Sequence, residues 1–223
     1  MKAIFRKALL DTVPVMTGYL VLGFGFGIVL HANGHGILLA FAMSLLIYAG
    51  SMQYVAIGLI AGGASLMTVA LTTLMVNARH LFYGISMLKK YQNTGRRKPY
   101  LIFALTDETY SLVCGEGISD VEEEQHTYYL LVSLLNHSYW ILGSVLGAAV
   151  GTLLSFNSEG IDFALTALFV TVFVEQWLTA GKHAPALIGV GASVLCLILF
   201  GSESFLIPAM LLIALLLCLY KEG

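Results

Sequence analysis

Residues Ile37–Ala61 read ILLAFAMSLLIYAGSMQYVAIGLIA. The stretch is apolar over a length that spans a bilayer, yet its middle, Tyr48-Ala49-Gly50-Ser51-Met52-Gln53, carries a glycine and polar side chains. Glycine weakens a helix by about 1 kcal/mol relative to alanine. The pattern predicts a segment broken at membrane depth, either crossing with an interruption or re-entering on the side it came from. Such breaks are tolerated where they line a protein-enclosed cavity, and in carriers they commonly hold substrate.

The surrounding chain has the same character. Of its 223 residues 58% are hydrophobic and 11% charged, with a mean hydropathy of +0.87. Soluble domains carry roughly 25% charged residues, so the soluble classes are excluded. Nucleic acid is excluded as a partner, because the few basic residues sit at the ends of apolar stretches. Cys114, Cys196 and Cys218 form neither a disulfide framework nor a metal cluster and read as small lipid- or core-facing residues. Seven more apolar runs flank the first: Thr12–Leu30, Leu66–Leu88, Tyr100–Cys114, Tyr128–Phe156, Phe163–Ala180, Ala184–Phe200 and Phe205–Tyr220. The expected fold is an all-α polytopic membrane protein of about seven or eight transmembrane segments, with residues 1–223 as one membrane domain. The amino-terminal run is superficially like a secretory signal, but Asp11 and Pro14 interrupt it, and it reads as a retained first span.

Basic residues in short loops favour the cytoplasm. Lys2, Arg6 and Lys7 place the amino terminus inside, and Lys89, Lys90, Arg96, Arg97 and Lys98 place the loop after the third run inside too. Three crossings would end on the opposite side, so the two placements conflict unless one run re-enters, and Ile37–Ala61 is the candidate. The acidic stretch Glu116–Glu124 fits an external, solvated loop if the short fourth run crosses. Tyr100, Tyr128, Tyr129, Trp177 and Tyr220 fall at run ends and fit an interfacial aromatic belt.

Tyr19-Leu20-Val21-Leu22-Gly23 and Tyr139-Trp140-Ile141-Leu142-Gly143 align at a separation of 120 residues, and Gly27 then aligns with Gly147. Both stretches carry G-x-x-x-G spacing, which lets two helices approach closely, for internal packing or for a partner. The alignment suggests a candidate repeat with halves 10–88 and 127–200 joined by 100–114. The halves are inverted if the second run re-enters and parallel if it crosses.

Ionisable groups cost roughly 2.5–3.5 kcal/mol each inside a span on insertion scales. Here they cluster: Arg79-His80 after Asn77, Asp107-Glu108 after Thr106, Asn136-His137, and Glu175-Gln176. Arg79 precedes Lys89 by ten residues and Asp107 follows Lys98 by nine, so both lie about 13–15 Å from the same face. An antiparallel hairpin across the basic loop would bring Arg79 opposite Asp107 or Glu108. One reading is a buried ion pair that fixes the hairpin. The other is a polar site for a zwitterion with a proton path, in which arginine suits a carboxylate and the acids suit an ammonium group or a proton. His80 and His137 suit either a helix contact or a proton relay. His31, His35, His126 and His183 fall in loops and make no metal-binding spacing.

Tyr48-Ala49-Gly50-Ser51-Met52-Gln53-Tyr54 resembles the F-A-G-S-x-Q-F element of the AzlC-type branched-chain amino acid exporters. Asn77-Ala78-Arg79-His80-Leu81-Phe82-Tyr83-Gly84 is similar to their N-x-R-H-x-x-Y-G element, and Thr106-Asp107-Glu108 to their T-D-E element. The likeness covers about residues 10–200, with Tyr48 and Tyr54 where phenylalanine is usual and Met52 where alanine is usual. It implies the large subunit of a two-component secondary exporter, paired with a small AzlD-type membrane subunit. The implied substrates are valine, leucine, isoleucine and methionine, moved out of a bacterial cell through its inner membrane, without a cofactor or a metal.

On these readings Gly50, Ser51, Gln53, Asn77, Arg79 and Asn136 are the candidate substrate-binding residues. Asp107, Glu108, His80 and Glu175 are the candidate proton-coupling groups. A passive channel for small polar solutes would share the broken helix and the repeat but needs no ionisable cluster. An enzyme is not expected, since no G-x-S-x-G nucleophile motif surrounds Ser51.

Overall fold

The computed structural model describes residues 2–77, 79–115, 118–119, 121–153, 170, 173–174, 177–178 and 181–220. The chain is helical, with no strand among the described residues, as the polytopic membrane fold requires. In order, the helices are α1 (Lys2–Ala32), α2 (Ile37–Leu46), α3 (Gly50–Ala61), α4 (Leu66–Val76) and α5 (Arg79–Met87). A single 3-10 turn (Gly95–Arg97) leads to α6 (Lys98–Phe103), α7 (Asp107–Val113) and α8 (Glu122–Leu153). The last two are α9 (Ala184–Ser204) and α10 (Leu206–Leu219). Three helices, α1, α8 and the Ala184–Gly201 part of α9, are long and apolar enough to cross a membrane alone. Two compact units divide the chain, Met1–Asp162 and Phe163–Gly223.

In the first unit the second apolar run is broken as its sequence demands. Helix α2 stops at Leu46, Tyr48 takes a left-handed φ of 46°, and α3 starts at Gly50. A bulky residue in that region costs about 1–3 kcal/mol and persists only where its surroundings fix it. Tyr48 sits 4.2 Å from the His137 ring and 6.2 Å from Phe103. By Tyr48 the chain has reached the level of Tyr19, and Tyr54 is back beside Leu22 and Phe26, nearer the far end of α1. That is the pattern of a re-entrant segment. The third run is also divided, with Asn77 closing α4 before Arg79 opens α5. So is the fourth: α6 ends at Phe103, and Thr106 caps α7 by accepting the Thr109 backbone N–H at 3.2 Å.

The fourth run therefore enters and returns rather than crossing. Lys90 Nζ donates to the carbonyls of Val113 (3.2 Å), Cys114 (2.8 Å) and Gly115, while Arg97 Nη2 meets Glu123 Oε1 at 2.6 Å. Asn93 donates to Glu122 at 3.1 Å. The basic turn and the start of α8 thus share one end of the unit, and the external placement expected for the acidic stretch does not hold. A run of six- and seven-residue helices with a polar cap between them is too short to do anything but turn back, and opposite charges then meet at its mouth. The amino-terminal part of α1 lies at this same end: Tyr128 donates to Asp11 at 2.7 Å, and Ala8 packs with Met87, Tyr91, Leu101 and Val113. All the amino-terminal and loop lysines and arginines up to Lys98 consequently gather at one end, and the parity conflict disappears. The third and fourth runs do not make a simple antiparallel hairpin either. Helices α5 and α7 run parallel, with Tyr83 beside Asp107, Ser86 beside Tyr110 and Lys90 beside Val113. Tyr128 and Tyr129, expected in an interfacial belt, are buried, and His126 lies inside α8 against Glu122 instead of in a loop.

Helices α1 and α8 also run parallel, and their glycines meet in register. A Cβ on Gly23 would lie 2.9 Å from the Trp140 carbonyl, and one on Gly143 would lie 2.9 Å from the Tyr19 and Leu20 carbonyls. One turn on, Gly27 is closed by the backbone of Ser144 and Ala148, and Gly147 by that of Phe24. Residues separated by 120 positions thus face each other, so both glycine stripes serve packing between these two helices. At this pair the arrangement is the parallel one.

The second unit is described by itself. Helix α9 carries Pro185 in its first turn and a left-handed Gly201 (φ 73°) where it bends, and Trp177 stacks on His183 at 4.2 Å.

Replacing Gly147 or Gly27 by alanine overpacks the seam and is expected to lower stability by about 1–3 kcal/mol. Thermal unfolding in detergent measures this, with Gly58→Ala, which meets nothing within 4 Å, as the unaffected control. Cysteines at positions 89 and 123 are expected to react with an impermeant thiol reagent from the same side of the membrane, and labelling from opposite sides would refute the returning fourth run.

Candidate functional site

The breaks in α2/α3 and α6/α7 converge on the middle of the α1–α8 pair. At the first break Gln53, fully buried, is held at both ends of its amide: Trp140 Nε1 donates to Oε1 at 2.9 Å, and Nε2 donates to Ser44 Oγ at 3.3 Å. Gly50 lies under the Trp140 ring, where a Cβ would come within 2.9 Å of the indole. His137 Nε2 is 3.1 Å from the Ser44 carbonyl and Nδ1 is 3.0 Å from the Tyr100 hydroxyl. The carbonyl only accepts, so Nε2 carries the proton and Nδ1 accepts from Tyr100.

At the second break Tyr19 Oη donates to Glu108 Oε2 at 2.6 Å and lies 2.7 Å from Thr106 Oγ1. Thr106 donates to Thr109 Oγ1 at 3.2 Å, and Asn136 Nδ2 donates to the same oxygen at 3.0 Å. Tyr83 donates to Asp107 Oδ1, stacks on Tyr110 and lies 5.4 Å from the His80 ring. His80 is tied in turn to the Asn77 carbonyl at 3.1 Å. Tyr48 and Tyr19, edge to face at 6.4 Å, join the two breaks. Within this network Asn136 Oδ1 and Tyr48 Oη are buried without a hydrogen-bond partner. Asn136 Oδ1 only accepts, and a buried acceptor without a donor costs about 1–3 kcal/mol; the Tyr48 hydroxyl can donate as well as accept.

Of the expected site residues, Gly50, Gln53, Asn136 and Glu108 meet around α8, with Ser51 half-buried next to Gly50. Asp107 and His80 meet through Tyr83. Asn77 contributes its backbone, closing α4 and holding His80. The Arg79 side chain and Glu175 lie outside the described residues, and so does the expected ion pair of Arg79. Tyr19, Ser44, Tyr83, Thr109 and Trp140 complete the network without having been expected. Tyr19 and Trp140 lie in the stretches aligned 120 residues apart, and Tyr83 stands in the third run's motif, so a signal existed for these three.

A family profile described as "AzlC protein" matches residues 14–154, which include every residue of the hydrogen-bonded network. The chain belongs to the AzlC family. The branched-chain amino acid transport protein AzlC of Bacillus subtilis is 46% identical over 95% of this chain and 83% of its own length. An uncharacterized membrane protein of Helicobacter pylori is 43% identical over 98% and 95%. The Escherichia coli inner membrane protein YgaZ is 27% identical over 83% and 76%. No solved structure matches the chain. The three polar motifs coincide with the helix breaks described in the second, third and fourth apolar runs.

Gln53→Leu keeps the bulk but strands the Trp140 N–H and the Ser44 hydroxyl. It is expected to cost about 1–3 kcal/mol in thermal unfolding, more than a substitution at a lipid-facing residue such as Leu38.

Proposed function

We propose that this AzlC-family protein carries branched-chain aliphatic amino acids out of the cell, as the large subunit of a two-component exporter in the inner membrane. Its partner would be a small AzlD-type membrane protein, and the basic end of the first unit, with the amino terminus, would face the cytoplasm. The observation that carries the reading is the buried polar network at the two helix breaks, in which Asn136 Oδ1 is left without a donor, and the name of the Bacillus subtilis relative supports its substrate class.

An aliphatic amino acid at neutral pH offers an ammonium group with three donors, a carboxylate and an alkyl chain. Glu108, Asn136 Oδ1 and Tyr48 Oη are acceptors suited to the ammonium group. For the carboxylate, α3 supplies a helix start. The first intrahelical bond there runs from Gln53 N to Ala49 O at 2.8 Å, which leaves the N–H groups of Gly50 and Met52 without an acceptor inside the helix. These carry the positive end of the helix dipole, and Arg79 adds charge. Protonation of Glu108 or Asp107 would remove the negative charge that Tyr19 and Tyr83 hold in place, loosening the ammonium site and freeing the bound amino acid. Alternating access would then be a movement of one half against the other about the glycine seam of α1 and α8, with 10–88 and 127–200 as parallel halves joined by 100–114.

The test is uptake of labelled leucine into inverted vesicles that hold the chain and its small partner, with an imposed pH gradient. A gradient is expected to stimulate the wild type, and the Asp107→Asn/Glu108→Gln pair is expected to lose that stimulation. Transport indifferent to the gradient would remove the proton, and no transport of any aliphatic amino acid would remove the function.

A further inference from the structure

One glycine of the family motifs has no part in the site as described. Gly84 ends the N-x-R-H-x-x-Y-G element, yet its φ is not left-handed, and no heavy atom lies within 4 Å of where its Cβ would stand. Neither backbone strain nor a close helix approach calls for glycine there. What lies beside Gly84 is a groove of about 390 Å³ between α5 and α6.

The groove has a direction. Lys98 and Leu88 line its mouth at the basic end of the unit, where Arg97 meets Glu123. Its flanks are Ile85, Leu88 and Ile102, all more than half exposed. His80, Phe103 and Leu105 also line it, on the side next to the candidate site. The His80 ring touches Tyr83, which donates to Asp107. Phe103 lies 5.7 Å from His137 and 6.2 Å from Tyr48, and Leu105 precedes Thr106 in the chain. A cationic mouth, apolar flanks and a titratable floor next to a carboxylate pair match a small molecule with one charged end and one alkyl end.

We propose that this groove is the passage by which an aliphatic amino acid passes between the basic end of the protein and the site at the helix breaks, and that Gly84 keeps it open. The inference rests on the transport function proposed above. A side chain at position 84 has room to form and projects into the passage, so it obstructs the route without disturbing the fold. Obstruction scales with the size of the side chain and with the size of the amino acid that must get by. Lipid chains would be the competing occupant of such a groove, and water access tells the two apart.

The experiment uses the full chain with its small partner in inverted vesicles, in a background with Cys114, Cys196 and Cys218 replaced by serine. Gly84→Ala is expected to move labelled leucine like the parent. Gly84→Leu is expected to slow leucine by about tenfold or more, and labelled alanine by less, with thermal unfolding unchanged. Gly84→Cys, which tolerates the fold if the leucine variant does not, is expected to react with a charged thiol reagent added at the basic end, to be protected by unlabelled leucine, and to lose transport once modified. A parent that moves leucine while Gly84→Leu moves it equally well overturns the passage and leaves the transport function standing. A Gly84→Cys thiol that never reacts, or reacts without effect on transport, overturns it as well. A parent that moves neither amino acid overturns the function on which the passage rests.

Discussion

The backbone contact between α1 and α8 is the constraint from which the rest of the first unit follows. In a bilayer, lipid tails are as apolar as leucine, so helices are held by close packing and interhelical hydrogen bonds rather than by escape from water. Gly23, Gly27, Gly143 and Gly147 let the two longest helices touch backbone to backbone. The register they set places Tyr19 5.5 Å from Trp140, and Asn136 and His137 lie on the same stretch of α8. A wider spacing would remove the surface on which both broken helices are seated. The half-helices depend on that surface because they are too short to be stable alone: isolated helices below about 12–15 residues are marginal even in favourable sequences.

The polar groups answer the second demand of a bilayer, that no backbone or side-chain polar group be left facing hydrocarbon. Each break frees backbone donors and carbonyls, and side chains meet groups at each break, from other helices at the second and fourth runs and from three residues on at the third. The Ser44 carbonyl, near the end of α2, is met by His137. Thr106 caps α7 and is itself met by Tyr19 from α1, and the Asn77 carbonyl is met by His80. The breaks thus tie α1 and α8 to the short helices by hydrogen bonds where packing area is small. The same bonds gather the amides of Gln53 and Asn136, the carboxylates of Asp107 and Glu108 and the phenols of Tyr19, Tyr83 and Tyr100 around the breaks, and the chemistry of the site is a consequence of satisfying the breaks.

How far the sequence carries the fold can be judged from single residues. Gly50, Ser51 and Gln53 stand out against leucine and isoleucine, and the break they mark is present. The 120-residue alignment of Gly23 with Gly143 is present as a physical contact, which is more than spacing alone implies. The breaks at Asn77 and Ala104-Leu105-Thr106 are less legible, because alanine and leucine continue an apolar run and only the Thr106 cap reveals a stop. The pairing of Arg97 with Glu123 is invisible to hydropathy, since the run between them is apolar whether it crosses or returns, and its short length left the crossing open. Tyr19 and Tyr48 read as bulk in an apolar pattern, and only the fold shows which hydroxyl meets which carboxylate. The candidate site was legible where a polar residue interrupts an apolar run, and illegible where an amphipathic residue fits one.

Tyr48 joins these strands of argument. Its left-handed backbone is the sharp corner between α2 and α3, a conformation that glycine would adopt with less strain. Glycine in its place would relieve the corner but remove the ring that His137, Tyr19 and Phe103 pack against. The strain is tolerated because the surrounding rings over-determine the side chain, which is the condition under which such conformations survive. A corner held this way is stiff in one arrangement and costly in any intermediate one, as packed interfaces are bistable rather than continuously deformable. In the alternating-access scheme proposed above, that property would suit a segment at the second run, where the apolar pattern is first interrupted, that switches between two positions around a bound molecule.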